Sequence, residues 1–486
     1  MNVPGEPHGR RSVSVAGVFA GVFGAFFGLA LLKFHSPPIM QKFEVAPTDF
    51  WSFLLNTPWP TGWAYLLFGA VALLGLAAAV WPQMAGGAQI ANPDSPGSSL
   101  RGMEQGRRLM VWLKRLAAAP LLWLAWEWLA GKRTLDPQLT RPTVLHFAIC
   151  VACFYLGFFS LSRARNLRPF WTGLFFAFLL VLASGWQQHF GGLAETRRYF
   201  LLYIYPQDKN IPLEYWRKMA SDRIFATLFY PNTLAGALLL LLPPLLGFIG
   251  RARGVLAADA RWFVASVVGL ASLGCLYWSR SKGGWLLMLA LGIMALLRLP
   301  FNKRYKVVLI TLVLLAGLGG FFCRYMGFFQ QGATSVSARF DYWRAAAQIT
   351  RDHPVFGTGP GTFYIPYQRI KRPESESTRL VHNDYLEQAS DSGLPGFVLY
   401  AAMIAGGLSC GLRRHEPALG EAFLVWLGVL GWGLQGFMEF SLYIPALAWP
   451  SFALIGWLLG RQILSTNPSG SISLGLRHEN PLPQRP

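Results

Sequence analysis

Apolar runs of about 18–22 residues, each almost free of charge, recur along the whole chain. One such run, wound as a helix, crosses roughly 30 Å of hydrocarbon. Lipid offers the backbone no hydrogen-bond partner, so such segments span a membrane only as helices or as a closed barrel. The alternation that marks a membrane barrel is absent, which leaves a helical bundle. Composition agrees. Of 486 residues, 53% are hydrophobic and 14% charged, against about 25% charged in an ordinary soluble domain. With 19 Trp and 36 Phe as well, a soluble enzyme and a disordered chain are both excluded. The expectation is an all-α polytopic membrane protein with about twelve transmembrane helices. They fall at 14–34, 62–82, 112–130, 143–162, 169–188, 227–249, 262–279, 283–300, 306–323, 393–412, 417–437 and 443–462.

The first run ends at Lys33 and carries no small-residue cleavage site, so it reads as an uncleaved anchor. An even number of spans puts both termini on one side. Short connections there carry Arg101, Arg107, Arg108, Lys114 and Arg115, then Arg163, Arg165 and Arg168. Arg251, Arg253 and Arg261 follow, then Arg298, Lys303, Arg304 and Lys306, and finally Arg413 and Arg414. Arg10 and Arg11 precede the first span on the same side. Short basic loops stay cytoplasmic, so both termini are expected in the cytoplasm. The net charge of +20 is therefore partly topology. No soluble basic domain exists to make it a nucleic-acid footprint.

Cys150-Val-Ala-Cys153 matches a C-x-x-C spacing but sits inside a lipid-length run with no further Cys or His at ligand spacing. It reads as packing, not as a redox or zinc site. The chain divides into a transmembrane bundle of about nine spans (1–323), an outer loop (324–392), C-terminal transmembrane helices (393–465) and a disordered cytoplasmic tail rich in Ser, Gly and Pro (466–486). The Gly- and Pro-bearing segment 83–106 reads as a flexible loop on the cytoplasmic side. Two long outer loops, 189–226 and 324–392, are exempt from the charge-orientation rule, so their positive charge needs another explanation.

The second long loop is the informative one. Helical spacing runs from Ser337 to Thr350, and Pro354 ends it. Gly357, Gly359 and Gly361 surround Pro360 in a tight turn. No βαβ unit encloses this G-x-G-x-G, so it is not a nucleotide fingerprint. His382-Asn383-Asp384 follows. Asp384 with Glu387 has the form of a capping box that opens a short helix, which Gly393 ends before Pro395 starts the next span. Two further features share the outer side: the charged hairpin Ser279-Arg280-Ser281-Lys282, and Tyr230-Pro231-Asn232 at a span entrance with Arg223 just before it.

Arg223, Arg280, Lys282, Arg339 and His382 thus stand on one side of the membrane, each near a span end. Guanidinium groups grip phosphate oxygens in bidentate fashion, and a His moves a proton near neutral pH. These residue types suit a transfer reaction on a lipid diphosphate. Plainer roles compete: His382 as a loop residue at a helix start, Arg280 as a headgroup anchor. Asn232, Asn383 and Glu387 read as supporting residues that cap, orient or satisfy a broken helix end. No intact outer-face Asp-x-Asp or His-rich set is present, and Asp341 alone is weak evidence for a metal. No metal and no other cofactor is expected.

The order and spacing of these motifs resemble the O-antigen ligase superfamily, which includes O-antigen ligases, O-antigen polymerases and protein O-oligosaccharyltransferases. The resemblance rests on His382-Asn383, nine residues, Gly393, two residues and Gly396. Pro354-x-x-Gly357-x-Gly359-x-Gly361-x-Phe363, Pro231-Asn232, Ser279-Arg280 and Glu439-Phe440-Ser441-Leu442-Tyr443-Ile444-Pro445 also match, in the expected order between about residues 223 and 446. The resemblance implies a GT-C-type glycosyltransferase architecture with a long, partly helical periplasmic loop. It implies metal-independent transfer of a glycan from undecaprenyl diphosphate to an acceptor hydroxyl on a glycolipid, a glycan or a protein. In the family an Arg after a middle span and an Arg early in the loop bind the diphosphate, and the motif His is essential. These correspond to Arg280, Arg339 and His382. Ligases often carry Leu four residues after the loop Arg, where this chain has Trp343, so Arg344 and Arg351 remain alternatives to Arg339. A polymerase of the same superfamily is the nearest rival reading. A transporter akin to relatives linked with bicarbonate uptake is a second rival, but the crowding of ionisable residues on one outer face, without evident inverted repeats, favours an interfacial enzyme. A third is an exporter or scaffold of exopolysaccharide assembly without catalysis.

Overall fold

A computed structural model describes residues 14–40, 49–50, 53, 57–84, 100–199, 201–202, 205, 216, 220–228, 230–330, 334–373, 375–410 and 418–466. The chain is all-helical there. The helices are α1 (Val15–Lys33), α2 (Thr61–Met84), α3 (Leu100–Gly131), α4 (Pro137–Phe159), α5 (Arg168–Gln187), α6 (Leu193–Tyr199), α7 (Pro231–Gly250), α8 (Ala258–Ser279), α9 (Lys282–Arg298), α10 (Lys303–Gln330), α11 (Thr334–Asp352), α12 (Tyr364–Ile370), α13 (Asp384–Cys410), α14 (Glu421–Gln435) and α15 (Pro445–Thr466). No strand occurs among the described residues.

Eight described segments combine the length and hydropathy needed to cross a membrane: Val15–Lys33, Thr61–Val80, Pro137–Arg163, Arg168–Arg198, Pro231–Gly250, Ala258–Ser279, Lys303–Phe328 and Asp384–Ser409. This is a multi-pass membrane protein. The other expected spans, at 112–130, 283–300, 417–437 and 443–462, fall on α3, α9, α14 and α15. α9 and α14 are shorter, at 17 and 15 residues.

Glycines let the helices approach to backbone contact. A Cβ at Gly157 of α4 would lie 2.0 Å from the Ala453 carbonyl of α15, and one at Gly456 would lie 2.0 Å from the Phe154 carbonyl. Small residues at crossings are how membrane helices gain packing without a hydrophobic driving force between them. Trp123, Trp171, Trp432 and Trp449 fill the interior.

Four local expectations shift. The predicted loop helix is longer than expected and runs as α11 to Asp352, just short of Pro354. The expected loop start at 324 lies inside α10, which continues to Gln330. Residues 100–106 of the expected 83–106 loop are already helical in α3. The expected start of the other loop, near 189, is helical too: a π-turn at Gln188–Gly192 carries α5 into α6, with Gly191 at φ 134°. The expected tail at 466–486 lies outside the described residues from 467 onward, as do Arg10, Arg11, Arg413 and Arg414.

Candidate active site

The sequence offers two adjacent caps, Asn383 and Asp384, for α13. Asn383, not Asp384, caps α13: its side-chain oxygen accepts from the backbone N–H of Tyr385 (3.1 Å) and of Leu386 (3.0 Å). Glu387 reaches back to accept from the Val381 N–H at 2.9 Å. Asp384 instead turns away and accepts from the Leu442 N–H at 3.0 Å, while its own N–H donates to the Gly436 carbonyl at 2.7 Å. The start of α13 is thereby tied to the segment between α14 and α15. Sequence alone could not decide between neighbouring Asn and Asp, because both are good caps.

The helix break predicted at Gly393 is present, with φ 74° and ψ −178° inside α13. The glycine turn packs into this break. Asp391 accepts from the Gly361 N–H (2.6 Å) and the Phe363 N–H (3.0 Å), and the Tyr443 hydroxyl donates to it at 3.2 Å. Asp391 is fully buried and was not singled out from the sequence. Its only signal there was an acidic side chain within the nine-residue spacer of the His motif. A similar tie comes from His146 on α4, 2.8 Å from the Leu442 carbonyl through Nε2, with the Trp449 indole donating to its Nδ1 at 3.2 Å. His146 also corrects one expectation, since it lies one turn before Cys150 with Nε2 3.8 Å from the sulfur. Both its nitrogens are engaged elsewhere. Cys150, Cys153 and Cys275 are buried and free of disulfides.

The tied segment presents Glu439, the second residue missed by sequence reasoning, although it opens the late motif Glu439 to Pro445. Its carboxylate gathers three of the predicted residues. Oε1 accepts from Asn232 at 2.5 Å and from Arg339, and Oε2 meets His382 Nδ1 at 3.1 Å. Asn232 in turn accepts from Arg223 at 2.9 Å, and Arg223 Nε donates to the Ser279 carbonyl at 2.8 Å, the residue before Arg280. Gln435 holds the Asn232 carbonyl at 2.7 Å. Helices α7 and α11, the start of α13 and the segment after α14 thus meet at one carboxylate, with the end of α8 tied in through Arg223.

Burial alone would raise the Glu439 pKa; the Arg339 guanidinium, together with the His382 and Arg223 contacts, overrides it and holds the carboxyl below its ordinary range. Burial lowers the Arg223 pKa, Glu439 opposes that, and Arg339 and Arg280 add to the lowering, which puts all three guanidiniums in one field. Lys282 feels Arg223, Arg339 and Arg280. Its ammonium sits 3.5 Å above the Phe328 ring and 5.3 Å from that of Tyr325. Arg324 on α10 faces the Tyr277 ring at 5.0 Å. Of the predicted cations, Arg339 meets His382 at Glu439 and Arg223 joins them through Asn232, while Arg280 and Lys282 lie within the field of these guanidiniums. Of the two alternatives to Arg339, neither Arg344 nor Arg351 takes part: both are exposed on α11. Asp341 accepts from Ser375 at 2.8 Å, with Arg372 3.8 Å away.

Arg280 and His382 share a further property. With Ala226 they are the non-glycine residues at positive φ among those described, at 51° and 55°. Such backbones cost roughly 1–3 kcal/mol each and persist where surrounding contacts fix them, which is common at functional sites. His382 is held between the Phe440 ring (4.8 Å, edge-on) and that of Tyr342 (5.9 Å).

Fold and site together define a multi-pass helical membrane protein with a cationic, His-bearing cluster where helix ends meet. Residues 267–401 match the family model described as O-antigen ligase, the superfamily that the chain's motifs resemble. That segment contains Arg280, Lys282, Arg339, His382, Asn383 and Glu387, while Arg223, Asn232 and Glu439 lie outside it. A protein of Haemophilus influenzae, described as uncharacterized, is 26% identical over 165 residues, which is 29% of this chain and 41% of that relative.

Proposed function

We propose that the chain is a membrane glycosyltransferase that moves a glycan from undecaprenyl diphosphate to an acceptor hydroxyl at the periplasmic face of the inner membrane. In this reading the chain has twelve spans in a GT-C-type arrangement, with both termini in the cytoplasm. The observation that carries it is the gathering of Arg339 and Arg223 at the Glu439–His382 pair, with Arg280 and Lys282 in the same cationic field. A diphosphate is the leaving group that such a set of cations suits.

The reaction is one displacement. The acceptor oxygen attacks the anomeric carbon, the bond from that carbon to the diphosphate oxygen breaks, and the anomer inverts. Arg280, Lys282 and Arg339 bind the diphosphate and stabilise the charge it gains on leaving. Glu439 accepts a hydrogen bond from the Nδ1–H of His382, which leaves the Nε2 lone pair to take the acceptor's proton. Arg223 and Asn232 hold Glu439 in place, and Asn383, Glu387 and Asp391 hold His382 at its helix start. Reconstitution in liposomes with a lipid-diphosphate glycan and a separate acceptor tests this. His382→Ala should abolish transfer while the donor still binds; transfer at the unsubstituted rate would overturn the role of His382.

A further inference from the structure

The opposite membrane face carries a second built feature. A cleft of about 390 Å³ lies where α5 begins and α7 ends, lined by Arg165, Arg168, Arg251, Arg253 and Glu421. The acid is committed: Arg251 reaches Glu421 at 3.3 Å and the Trp171 indole donates to the same oxygen at 2.8 Å. Arg168 donates to the Arg251 carbonyl at 3.3 Å. Four arginines thus line a cleft that holds one carboxylate, and Arg461 adds to the field at Arg251. Charge-dependent topology does not require this convergence. Other cations expected on that face are spent singly, Arg298 on the Phe423 ring at 4.7 Å and Lys306 on the Leu297 carbonyl at 3.0 Å.

A second groove, of about 520 Å³, adjoins the first and shares Arg165 and Asn166 with it. Its other walls are Gly17, Val18, Gly21, Val22 and Pro169, and Val18 and Val22 are 43% and 41% exposed. From Ser14 to Val22 it follows α1 for about 12 Å at 1.5 Å per residue. A basic, aromatic-backed cleft that opens onto an apolar groove along a membrane helix has the shape of a phospholipid: phosphate at the arginines, acyl chain along α1.

We propose that this paired cleft binds an anionic phospholipid of the leaflet opposite the His382 site. Guanidinium groups match the phosphate oxygens, and basic pockets between helices are suited to anionic headgroups. A free phosphate would use the arginines alone and leave the groove without a role. The inference depends on the membrane reading and not on the transfer reaction.

The full chain, purified in detergent, is titrated with phosphatidylglycerol, with phosphatidylcholine and with inorganic phosphate, and bound lipid is read by native mass spectrometry. Phosphatidylglycerol should bind at one per chain and in preference to phosphatidylcholine. Arg165→Gln combined with Arg253→Gln, both at exposed positions, should weaken it about tenfold or more. Val22→Trp, which fills the groove and removes no charge, should also weaken it. Equal binding of the two lipids overturns the proposal. So does an unchanged Val22→Trp variant, or displacement of the lipid by millimolar phosphate, which would mark a simple anion site. A size-exclusion profile like that of the unsubstituted chain keeps both variants interpretable.

Discussion

Glu439 and His382 face each other at 3.1 Å, carboxylate Oε2 to imidazole Nδ1, although 57 residues separate them in the chain. The same carboxylate is held by Asn232 and Arg339. An imidazole fixed through one nitrogen by a buried anion has its other nitrogen defined as the acceptor. In the proposed transfer Glu439 is a positioning residue, and Glu439→Gln should lower kcat by about 10²-fold with little change in KM. Glu439→Asp should recover part of the loss. An equal fall in kcat and in folded yield would show a merely structural role. Single-turnover transfer together with donor binding separates the two.

The lowered pKa of Glu439 also has a consequence for stability. Its ordinary value is 4.5, and the folded value lies below that. A carboxyl of this kind contributes stability that is fully present above its unfolded pKa and is lost as pH falls through the folded one. The unsubstituted chain should lose Tm steadily as pH drops below about 4.5, and Glu439→Gln should lose less over the same window. Thermal melts in detergent between neutral pH and the acid limit check this.

The three loop arginines should behave differently. Arg339 pairs with Glu439 beside His382, while Arg344 and Arg351 are exposed. Arg339→Ala should cut transfer by about 10²-fold, and Arg339→Lys should restore little, because an ammonium lacks the planar fork. Arg344→Ala and Arg351→Ala should stay near the unsubstituted rate. Parallel liposome assays of the four variants decide it.

The residues that could be read in the sequence were those whose chemistry is local. Lipid-length runs announce helices because the backbone has no other option in hydrocarbon, and Gly393 and Pro395 announce a helix break through their own dihedral limits. His382, Arg280 and Arg339 were visible through motif order. Glu439 and Asp391 were not, since their roles exist only through partners far along the chain: Arg339 is 100 residues from Glu439, and Gly361 is 30 from Asp391. The choice among three arginines was likewise beyond reach, because it depends on which face of α11 meets the segment after α14.

Metal removal gives a further check. Guanidinium and ammonium groups, not a divalent ion, supply the positive charge in the proposed transfer. Transfer in liposomes should persist within about twofold in excess EDTA, below the tenfold that 1.4 kcal/mol of barrier would produce. Collapse of activity, restored by adding back magnesium or manganese, would contradict the scheme.

The break in α13 should be the least tolerant point of the loop. Gly393 stands at φ 74°, and a Cβ there would come within 2.1 Å of the Val355 carbonyl. Its neighbour Leu394 donates to the Pro354 carbonyl at 2.8 Å, so the two backbones cannot separate without losing that bond. Gly393→Ala should therefore cost about 3 kcal/mol or more, from backbone strain and overlap together. Asp391→Asn keeps the size but turns one acceptor of the glycine turn into a donor. The Gly361 and Phe363 N–H groups and the Tyr443 hydroxyl all point at that carboxylate, and an unsatisfied buried donor costs about 1–3 kcal/mol. Both variants should lower Tm, Gly393→Ala the more, whereas Asn383→Ala should cost only about 1 kcal/mol through the lost cap. Thermal melts of the three proteins rank them. A Gly393→Ala variant as stable as Asn383→Ala would mean that the glycine turn does not fix the break beside His382.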